Sequence, residues 1–387
     1  MDAEKLLFSL IRMVICGEKP DKGLQADCTQ EKLEAVYALA LRHDLAHLVG
    51  QAVSQLSLPE SETVQKCKQT AMSAFLRYVR LDQAYTRVCD VLESSGIPFI
   101  PLKGSVLRSY YPDAWMRTSC DMDILVHEEQ LELATAVLEE KLQYRRGKKG
   151  SHDVSLFSPE GIHLELHYST IEDSVSSDAQ KLLSHIWEDA SPIPGSVYHL
   201  KISDAMFYYY HMAHMAKHFV GGGCGIRPFL DIWILNHRVE HDREARDQLL
   251  EKGNLSTFAR AAEKLSRVWF SGEAPDRMSL EIKDFILSGG TYGNLENSVS
   301  MNRAKKGGKL QYALSRIFLP YDVIKYHYPV LQKHKLLLPF YQVVRWCKLL
   351  FCGGMKRSVR ELQVNASGSS REAASATELL NYLGLNK

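Results

Sequence analysis

The sequence predicts an α+β fold in which a small mixed β-sheet stands between two helical regions. Apolar residues recur at three- and four-residue spacing through residues 1–95 and again beyond residue 203, which is typical of amphipathic helices. Between these regions, short segments alternate apolar and polar residues, which is typical of half-buried strands. We therefore expect four parts: an N-terminal helical region over 1–95, a sheet-containing core over 96–200, a C-terminal helical region over 201–352, and a flexible tail over 353–387 with one short helix.

The composition is that of an ordinary globular chain without a dominant charge. Its 387 residues are enough for two or three domains, and 47 basic side chains balance 46 acidic ones. This balance argues against a polymerase that tracks a long nucleic acid, because such proteins carry a strongly basic face. The eight cysteines form no CxxC pair and no secretory signal is evident, so we expect reduced thiols and a cytoplasmic location.

One apolar stretch lies near the C-terminus. Residues 336–351 are apolar but interrupted by Arg345 and Lys348, and the stretch is too short to span a bilayer. We expect no transmembrane segment, and a buried or amphipathic helix is favoured here over one that lies on a membrane surface.

The core begins with a predicted strand that leads into a glycine-containing turn. Residues 99–102 are strand-like, and Gly104 and Ser105 stand where a helix begins. Glycine lets the backbone approach a ligand, and a serine can cap the helix while its hydroxyl and amide face an anion. Lys103 and Arg117 add positive charge. We expect these four residues to contact phosphate oxygens, although their glycine spacing is not that of a Walker A loop.

Residues Asp121 to Val126 predict a short strand that carries two carboxylates. Side chains alternate across a strand, so Asp121 and Asp123 share one face, while Met122 and Ile124 share the other. Two carboxylates one pleat apart repel each other unless a cation lies between them. Oxygen ligands in this arrangement suit Mg²⁺, which commonly binds one or two carboxylates together with substrate phosphates. The alternative is a solvated acidic strand end.

A predicted hairpin over residues 151–167 adds a third carboxylate. Both arms alternate, and residues 158–161 fit a type I turn between them. With the apolar side chains of the second arm facing the core, Glu165 faces the opposite way, together with His163 and His167. Glu165 is therefore expected to meet the aspartate pair across the sheet. Before the hairpin, the basic segment 144–150 is either a solvated turn or a lid over a triphosphate.

These pieces together resemble an uncharacterised bacterial nucleotidyltransferase family of the DNA polymerase beta-like nucleotidyltransferase superfamily. The residues that carry the resemblance are Leu102-Lys-Gly104, Arg117, Asp121-Met-Asp-Ile-Leu-Val126 and Glu165-Leu-His167. It covers most of residues 30–350 and is strongest across 97–168.

The resemblance implies an enzyme that transfers a nucleoside monophosphate from a nucleoside triphosphate, ATP before others, to a hydroxyl acceptor. Asp121 and Asp123 would bridge two Mg²⁺ (or Mn²⁺) ions, and Glu165 would complete one ion site and take the proton of the acceptor. A sugar phosphate, an antibiotic, a metabolite hydroxyl and a protein side chain all suit such a core as acceptor.

A second cluster lies in the C-terminal helical region. Three histidines, one lysine, one arginine and one aspartate occur within 21 residues: His211, His214, Lys217, His218, Arg227 and Asp231. The histidines recur at three and four residues and so share one helical face. Three interpretations remain open: a wall of the nucleotide or acceptor cleft, structural polar contacts, and a transition-metal site. The resembling family has a similar stretch after its core, which favours a cleft wall, to which His167 would also contribute.

Two alternatives to nucleotidyl transfer follow from the same residues. One is a metal hydrolase with His211, His214, His218 and Asp231 as ligands. The other is a non-catalytic nucleotide-binding or scaffold protein of the same fold.

Overall fold

The computed structural model describes residues 1–20, 22–170, 177–351 and 355–386. Its strands are β1 Phe99–Pro101, β2 Asp121–Val126, β3 Arg145–Lys149, β4 Asp153–Phe157, β5 His163–His167, β6 Ser191–Pro192 and β7 Leu200–Lys201. The helices up to the end of the sheet region are α1 Ala3–Ile11, α2 Lys22–Asp27, α3 Gln30–Arg42, α4 Ala46–Gln55, α5 Glu62–Ser94, α6 Gly104–Leu107, α7 Leu131–Leu142 and α8 Ser177–Ser184.

The remaining described helices follow the sheet. They are α9 Asp204–Gly221, α10 Arg227–His237, α11 Arg243–Lys252, α12 Ser256–Phe270, α13 Arg277–Ser288, α14 Leu295–Lys306, α15 Lys309–Ile317, α16 Tyr321–His327, α17 Val330–Lys333, α18 Leu338–Phe351, α19 Met355–Ser367 and α20 Ser370–Tyr382. The predicted α+β class, a small mixed sheet flanked by helical regions, is confirmed. The division into four domains stays a prediction.

The main sheet has five strands in the order β1-β2-β5-β4-β3. Strands β2 and β5 run parallel, whereas every other neighbouring pair in this sheet is antiparallel. The hairpin predicted over residues 151–167 forms as β4 and β5. In its turn, the N–H of Gly161 donates to the carbonyl of Ser158, and Gly161 takes a φ of +81° that favours glycine.

One face of the sheet is apolar and is covered by two helices. Side chains of β2, β4 and β5 pack there against α5 and α7, in a buried cluster that includes Val88, Leu138, Ile124 and Leu166. Ser61 begins α5 by accepting a hydrogen bond from the N–H of Val64, so the 33-residue helix starts at a defined point below the sheet. This packing leaves the opposite, polar face free to form a site.

A larger apolar cluster joins the N-terminal helices to α9, α10 and α12. Its largest fully buried side chains include Tyr208, Tyr209, Phe219 and Phe229. Ser203 caps α9 by accepting from the N–H of Met206. Helix α9 is thus held firmly in the core while one of its faces remains turned toward the sheet.

The basic segment 144–150 is not the loop that the sequence predicts. Residues 145–149 form the edge strand β3, which pairs with β4. All five residues of β3 are exposed, and Arg146 and Lys149 lie 2.9 and 3.8 Å from the carboxylate of Glu132 on α7. An edge strand tolerates charged side chains on both faces because one of its sides is open to water.

The flexible tail expected over residues 353–387 is also different in the structure. Two helices, α19 and α20, cover most of it. Ser369 and Glu372 form a reciprocal capping box at the start of α20, and Leu380 and Leu383 are buried in the larger cluster. The apolar positions of α20 therefore pack against the core. The serine- and alanine-rich sequence before them gives no indication of this packing.

Candidate active site

The polar face of the sheet brings the three predicted carboxylates together. In the parallel pairing of β2 with β5, Asp123 lies opposite Glu165 and Asp121 lies opposite His163. Both strands therefore turn their acidic side chains to the face that α5 and α7 leave uncovered, as the alternation of each strand predicts. Asp123 is buried, and Asp121 and Glu165 are half-buried.

Lys103 and His167 both donate a hydrogen bond to one oxygen of Asp123. The Nζ of Lys103 donates to Oδ1 at 2.8 Å, and Nε2 of His167 donates to the same atom at 2.8 Å. His167 also lies 3.5 Å from Oε2 of Glu165. Burial alone would lower the pKa of His167, but its hydrogen bonds to these two carboxylates raise the pKa above its ordinary value.

The environments of the three acids differ. Burial, with the charges of Asp123 and Glu165, raises the pKa of Asp121. Burial alone would raise the pKa of Asp123 too, but the charge of Lys103 and the bond from His167 lower it. The hydrogen bond from His167 lowers the pKa of Glu165. Among the described residues, Asp121 has no hydrogen-bond or ion-pair partner, so its charge is the one that a bound cation would neutralise.

The donor atoms on this face fit a divalent cation. Two overlapping groups have ligand atoms within 4.8 Å of one another: Asp121, His163 and Glu165, and Asp123, Glu165 and His167. The Nε2 of His163 is buried and, among the described residues, has no hydrogen-bond partner. Carboxylate oxygens suit Mg²⁺ or Mn²⁺, and the histidine nitrogens extend the donor set toward softer metals.

The turn after β1 places Lys103 and Gly104 beside the carboxylates, but not Ser105. Lys103 has a positive φ of +46°, an uncommon conformation for a residue with a side chain, and it precedes the first residue of α6. A Cβ on Gly104 would lie 3.2 Å from that of Ser119. The hydroxyl of Ser105 is buried with no partner among the described residues, and it caps no helix. Ser119 lines the cavity in its place.

Arg117 reaches the cavity wall with its guanidinium already engaged. Its Nε and Nη2 donate to the two oxygens of Asp231 at 2.7 and 2.9 Å, and its Nη1 donates to the carbonyl of Thr118. Tyr111 donates to the same aspartate at 2.7 Å. Arg117 is 9% exposed and Asp231 is fully buried. This geometry is that of a buried, bidentate ion pair that joins the segment before β2 to α10. The guanidinium is not left free to bind a phosphate.

The predicted second cluster lies on the face of α9 that is turned toward the sheet. His211, His214, Lys217 and His218 all line one cavity with the carboxylates. His218 and His214 contact through their Nε2 atoms at 3.2 Å, and Nε2 of His211 bonds the carbonyl of Pro228 at 3.2 Å. Burial, with the charge of Lys103, lowers the pKa of Lys217 to about 8.

The cavity between the sheet and α9 measures about 430 Å³. Arg227 and Asp231 line it from α10, but His167 lies behind Asp123 and, among the described residues, is not part of the lining. Arg227 contacts the carboxylate of Asp44. The predicted residues thus converge on one cleft, with Ser105 and His167 outside its surface.

Several lining residues have no motif that singles them out in the sequence. Asp44 comes from the turn after α3, Tyr210 from α9, and Tyr292 from the loop before α14. His163 is not part of the lining, and the sequence does indicate it, because it shares one face of β5 with Glu165. The others are brought to the cleft by helix packing over long sequence separations.

A mixed sheet with two aspartates on one strand and a glutamate on its parallel neighbour, beside a cleft that also holds lysines and arginines, is the arrangement expected of the nucleotidyltransferase class. The model of a family described as uncharacterised nucleotidyltransferase matches residues 29–271, and the chain belongs to this family. The match includes the sheet, α9 and the cleft residues other than Thr291 and Tyr292. No curated protein matches the chain significantly.

Proposed function

We propose that this protein transfers a nucleoside monophosphate from a nucleoside triphosphate, with ATP favoured, to a hydroxyl group of an acceptor. The observation that carries the proposal is the register of β2 and β5, which sets Glu165 beside Asp123 and two residue pairs from Asp121 on the same face. Three carboxylates from adjacent strands around one point suit the binding of cations that bridge to phosphates.

Asp121, Asp123 and Glu165 would hold Mg²⁺, or Mn²⁺, on this face. When bound, such ions neutralise phosphate charge and make an acceptor hydroxyl more acidic. Glu165 is half-buried and lines the cleft, and in this proposal its carboxylate would accept the proton of the acceptor. His167, bonded to both Asp123 and Glu165, fixes the orientation of the two carboxylates.

The basic residues of the cleft would bind the triphosphate. Lys103 lines the cavity, and although burial opposes its charge, Tyr210 and the Asp123 carboxylate hold its pKa above the ordinary value. It is therefore charged throughout the neutral range and can contact phosphate oxygens. Lys217 lies on the opposite wall. We assign Arg117 a positioning role through Asp231 rather than the phosphate contact that the sequence indicates.

The geometry does not favour a histidine-ligated hydrolase. Both oxygens of Asp231 are bonded to Arg117, and His211 is bonded to a backbone carbonyl. Among the described residues, the groups able to hold a metal ion include two on the sheet and none on α9.

The test is the double substitution Asp121→Asn and Asp123→Asn. Asparagine keeps the shape of each side chain, but at position 123 it removes the countercharge of Lys103, so the variant should be less stable than the parent yet still folded, and it should lose Mg²⁺-dependent triphosphate turnover. Turnover is followed by pyrophosphate release, and folding by thermal unfolding. Undiminished turnover in a folded double variant would remove the aspartate pair from the mechanism, and absence of turnover in the parent with any nucleotide or acceptor mixture would favour the non-catalytic alternative.

A further inference from the structure

The C-terminal helices carry a charge unlike that of the rest of the chain. Residues 303–360 contain thirteen of the 47 lysine and arginine residues but one of the 46 acidic residues, Asp322. The near-neutral total therefore hides a strongly basic segment and an acidic remainder. Charge segregation of this extent indicates a partner of opposite sign for the basic part.

Helix α18 within this segment is amphipathic in the opposite sense to an ordinary surface helix. Its inward face is polar: the side chains of Gln342, Arg345 and Trp346 donate to backbone carbonyls at the end of α15 and just beyond it. Gln342 bonds Leu319 at 2.6 Å, and Arg345 and Trp346 bond Ile317 at 3.0 and 2.9 Å. These bonds satisfy carbonyls that the end of a helix leaves without intrahelical partners.

The outward face of α18 is apolar. Phe340, Val343, Cys347 and Leu350 follow one another at three- and four-residue spacing and are all exposed, Phe340 to 61%. Just before and at the end of the helix, Leu336 and Phe351 are 95% and 86% exposed. A helix in water normally turns such a stripe to the core, so this stripe is suited to an apolar environment outside the protein.

Exposed lysines border the stripe. Lys333 and Lys335 precede α18, and Lys348 lies next to the stripe within it. We define the apolar basic surface as the exposed side chains of residues 333–351. It combines protruding aliphatic and aromatic groups with ammonium groups, which is the pattern of a helix that lies in the plane of a membrane interface.

We propose that the apolar basic surface binds an anionic lipid membrane, with α18 lying parallel to it. Among the described residues, no helix could span a bilayer. Lipid accounts for both features, because acyl chains accept the apolar stripe while anionic headgroups attract the lysines. The sequence pattern favours a buried or amphipathic helix, and the structure differs by exposing the apolar side.

Two other partners fit less well. A nucleic acid would attract the lysines, but phosphates offer nothing to the protruding Leu336, Phe340 and Phe351. A second copy of the chain would cover the stripe, but it would bring two surfaces of the same strong positive charge together.

One helix, α14, lies between the cleft and the start of the basic segment. Tyr292, which lines the cleft, lies just before α14, and the basic segment begins at Arg303 near the end of that helix. Twelve helical residues span about 18 Å. Helices α15, α16 and α17 then lead from α14 to the apolar basic surface.

The experiment is co-sedimentation of the full chain with vesicles of phosphatidylcholine alone, and with vesicles containing about one third phosphatidylglycerol. We expect binding to the anionic vesicles that weakens with added salt, and little binding to the neutral ones. The variant Lys333→Glu, Lys335→Glu, Lys348→Glu should lower the partition coefficient at least about 100-fold, since each charge near the surface contributes severalfold. A matched control, Lys181→Glu, Lys201→Glu, Lys252→Glu, changes the same charge at exposed sites elsewhere and should bind like the parent.

A second variant separates lipid from the other partners. Leu336→Ser, Phe340→Ser, Phe351→Ser removes apolar area from side chains that are already exposed, so folding should be unaffected, and anionic-vesicle binding should fall at least about tenfold. Three results would each overturn the proposal: no difference between the two kinds of vesicle, tight duplex-DNA binding that the serine variant retains, or a stable dimer in sedimentation analysis that the serine variant abolishes without vesicle binding by the parent.

Discussion

At the scale of single residues, the Asp123 carboxylate is the point where the polar contacts of the site meet. Lys103 and His167 share one of its oxygens, and Glu165 lies beside it on the neighbouring strand. Asp123 is therefore held in one orientation, while Asp121 and Glu165 keep oxygen atoms free at the cleft surface. In the proposed mechanism, Glu165 has the more direct part in proton transfer.

The substitution Glu165→Gln keeps the shape of the side chain and removes its charge. We expect triphosphate binding to be retained and nucleotidyl transfer to slow by about 10²-fold or more, the scale of losing a general base. The measurement is single-turnover transfer at saturating nucleotide. Glu128→Gln, at an exposed site just after β2, is the matched control and should transfer at the parent rate. Equal rates for both variants would exclude Glu165 from the chemistry.

The buried tie between Arg117 and Asp231 predicts a large effect on stability. Asp231→Asn leaves the guanidinium of Arg117 buried without its countercharge, so the free energy of unfolding should fall by about 3–5 kcal/mol. Denaturant titration measures it. The control Asp284→Asn, at a side chain that is 77% exposed and 3.6 Å from Lys283, should change it by less than about 0.5 kcal/mol. A loss as small for Asp231→Asn as for the control would contradict the structural role.

The same tie has a defined pH dependence. Burial alone would raise the pKa of Asp231, but the charge of Arg117 lowers it in the folded protein. A carboxyl whose pKa is lowered by folding stabilises the protein fully above its unfolded-state pKa of about 3.9, and this contribution is lost as the pH falls through the lower folded-state value. Acid unfolding of the Asp231→Asn variant should therefore lack that component.

Lys217 predicts how nucleotide binding changes with pH. Its pKa of about 8 means that its ammonium, which faces Lys103, Glu165 and Asp153, loses its proton just above neutrality. Affinity for a non-hydrolysable triphosphate should fall about tenfold as the pH rises from about 7 to 9.5, the scale of one charge-assisted bond. Calorimetry of Lys217→Arg is the comparison, because arginine stays charged and should bind with little pH dependence. An identical decline in both proteins would show that Lys217 does not contact the nucleotide.

At the scale of elements, alternation along β2 and β5 is sufficient to predict which face carries the acids. The pattern cannot reveal the pairing of β2 with β5, because these parallel neighbours are separated along the chain by α7 and two further strands.

Residues 145–149 show a second limit of sequence patterns. Their side chains lack the apolar alternation of a strand, and only pairing with β4 and the contact of Arg146 with Glu132 make them one.

The loop that carries Tyr292 gives a prediction about close backbone packing. Gly293 has a φ of +72°, and a Cβ there would lie 1.9 Å from the carbonyl oxygen of Gly222 at the end of α9. Gly307 has a φ of +79° with no atom within 4 Å of an added Cβ, so it is the matched control. Gly307→Ala should cost about 1–2 kcal/mol of stability from conformation alone. Gly293→Ala should lower the free energy of unfolding by about 1–3 kcal/mol more, which is the usual effect of overpacking.

Denaturant titration of the two variants measures this difference, and nucleotide binding supplies a second readout. Because the loop lines the cleft, Gly293→Ala should also weaken triphosphate binding, whereas Gly307→Ala should not. Equal stabilities and affinities for the two variants would mean that the contact between Gly293 and Gly222 is not maintained in solution.

At the scale of the whole molecule, the cleft is assembled from three distant parts of the chain. The sheet supplies the carboxylates, α9 and α10 supply the opposite wall, and Asp44 and Tyr292 also line the cleft. Sequence patterns identify the residues of the first two parts, because strand alternation and helical spacing are local. Sequence patterns cannot predict the ion pair between Arg117 and Asp231, because it depends on how α10 packs beside the segment before β2. Nor does the composition show that the apolar side of α18 faces outward.

The central claim is that this cleft transfers a nucleotidyl group. The direct measurement is incubation of the purified protein with Mg²⁺, a cell extract and ATP labelled at the α-phosphate, with the Asp121→Asn, Asp123→Asn variant in parallel. We predict that the label becomes attached to an acceptor with release of pyrophosphate in the parent, and that the variant gives neither. Release of orthophosphate with the label remaining in ADP, or equal labelling by the folded double variant, would contradict nucleotidyl transfer at this site.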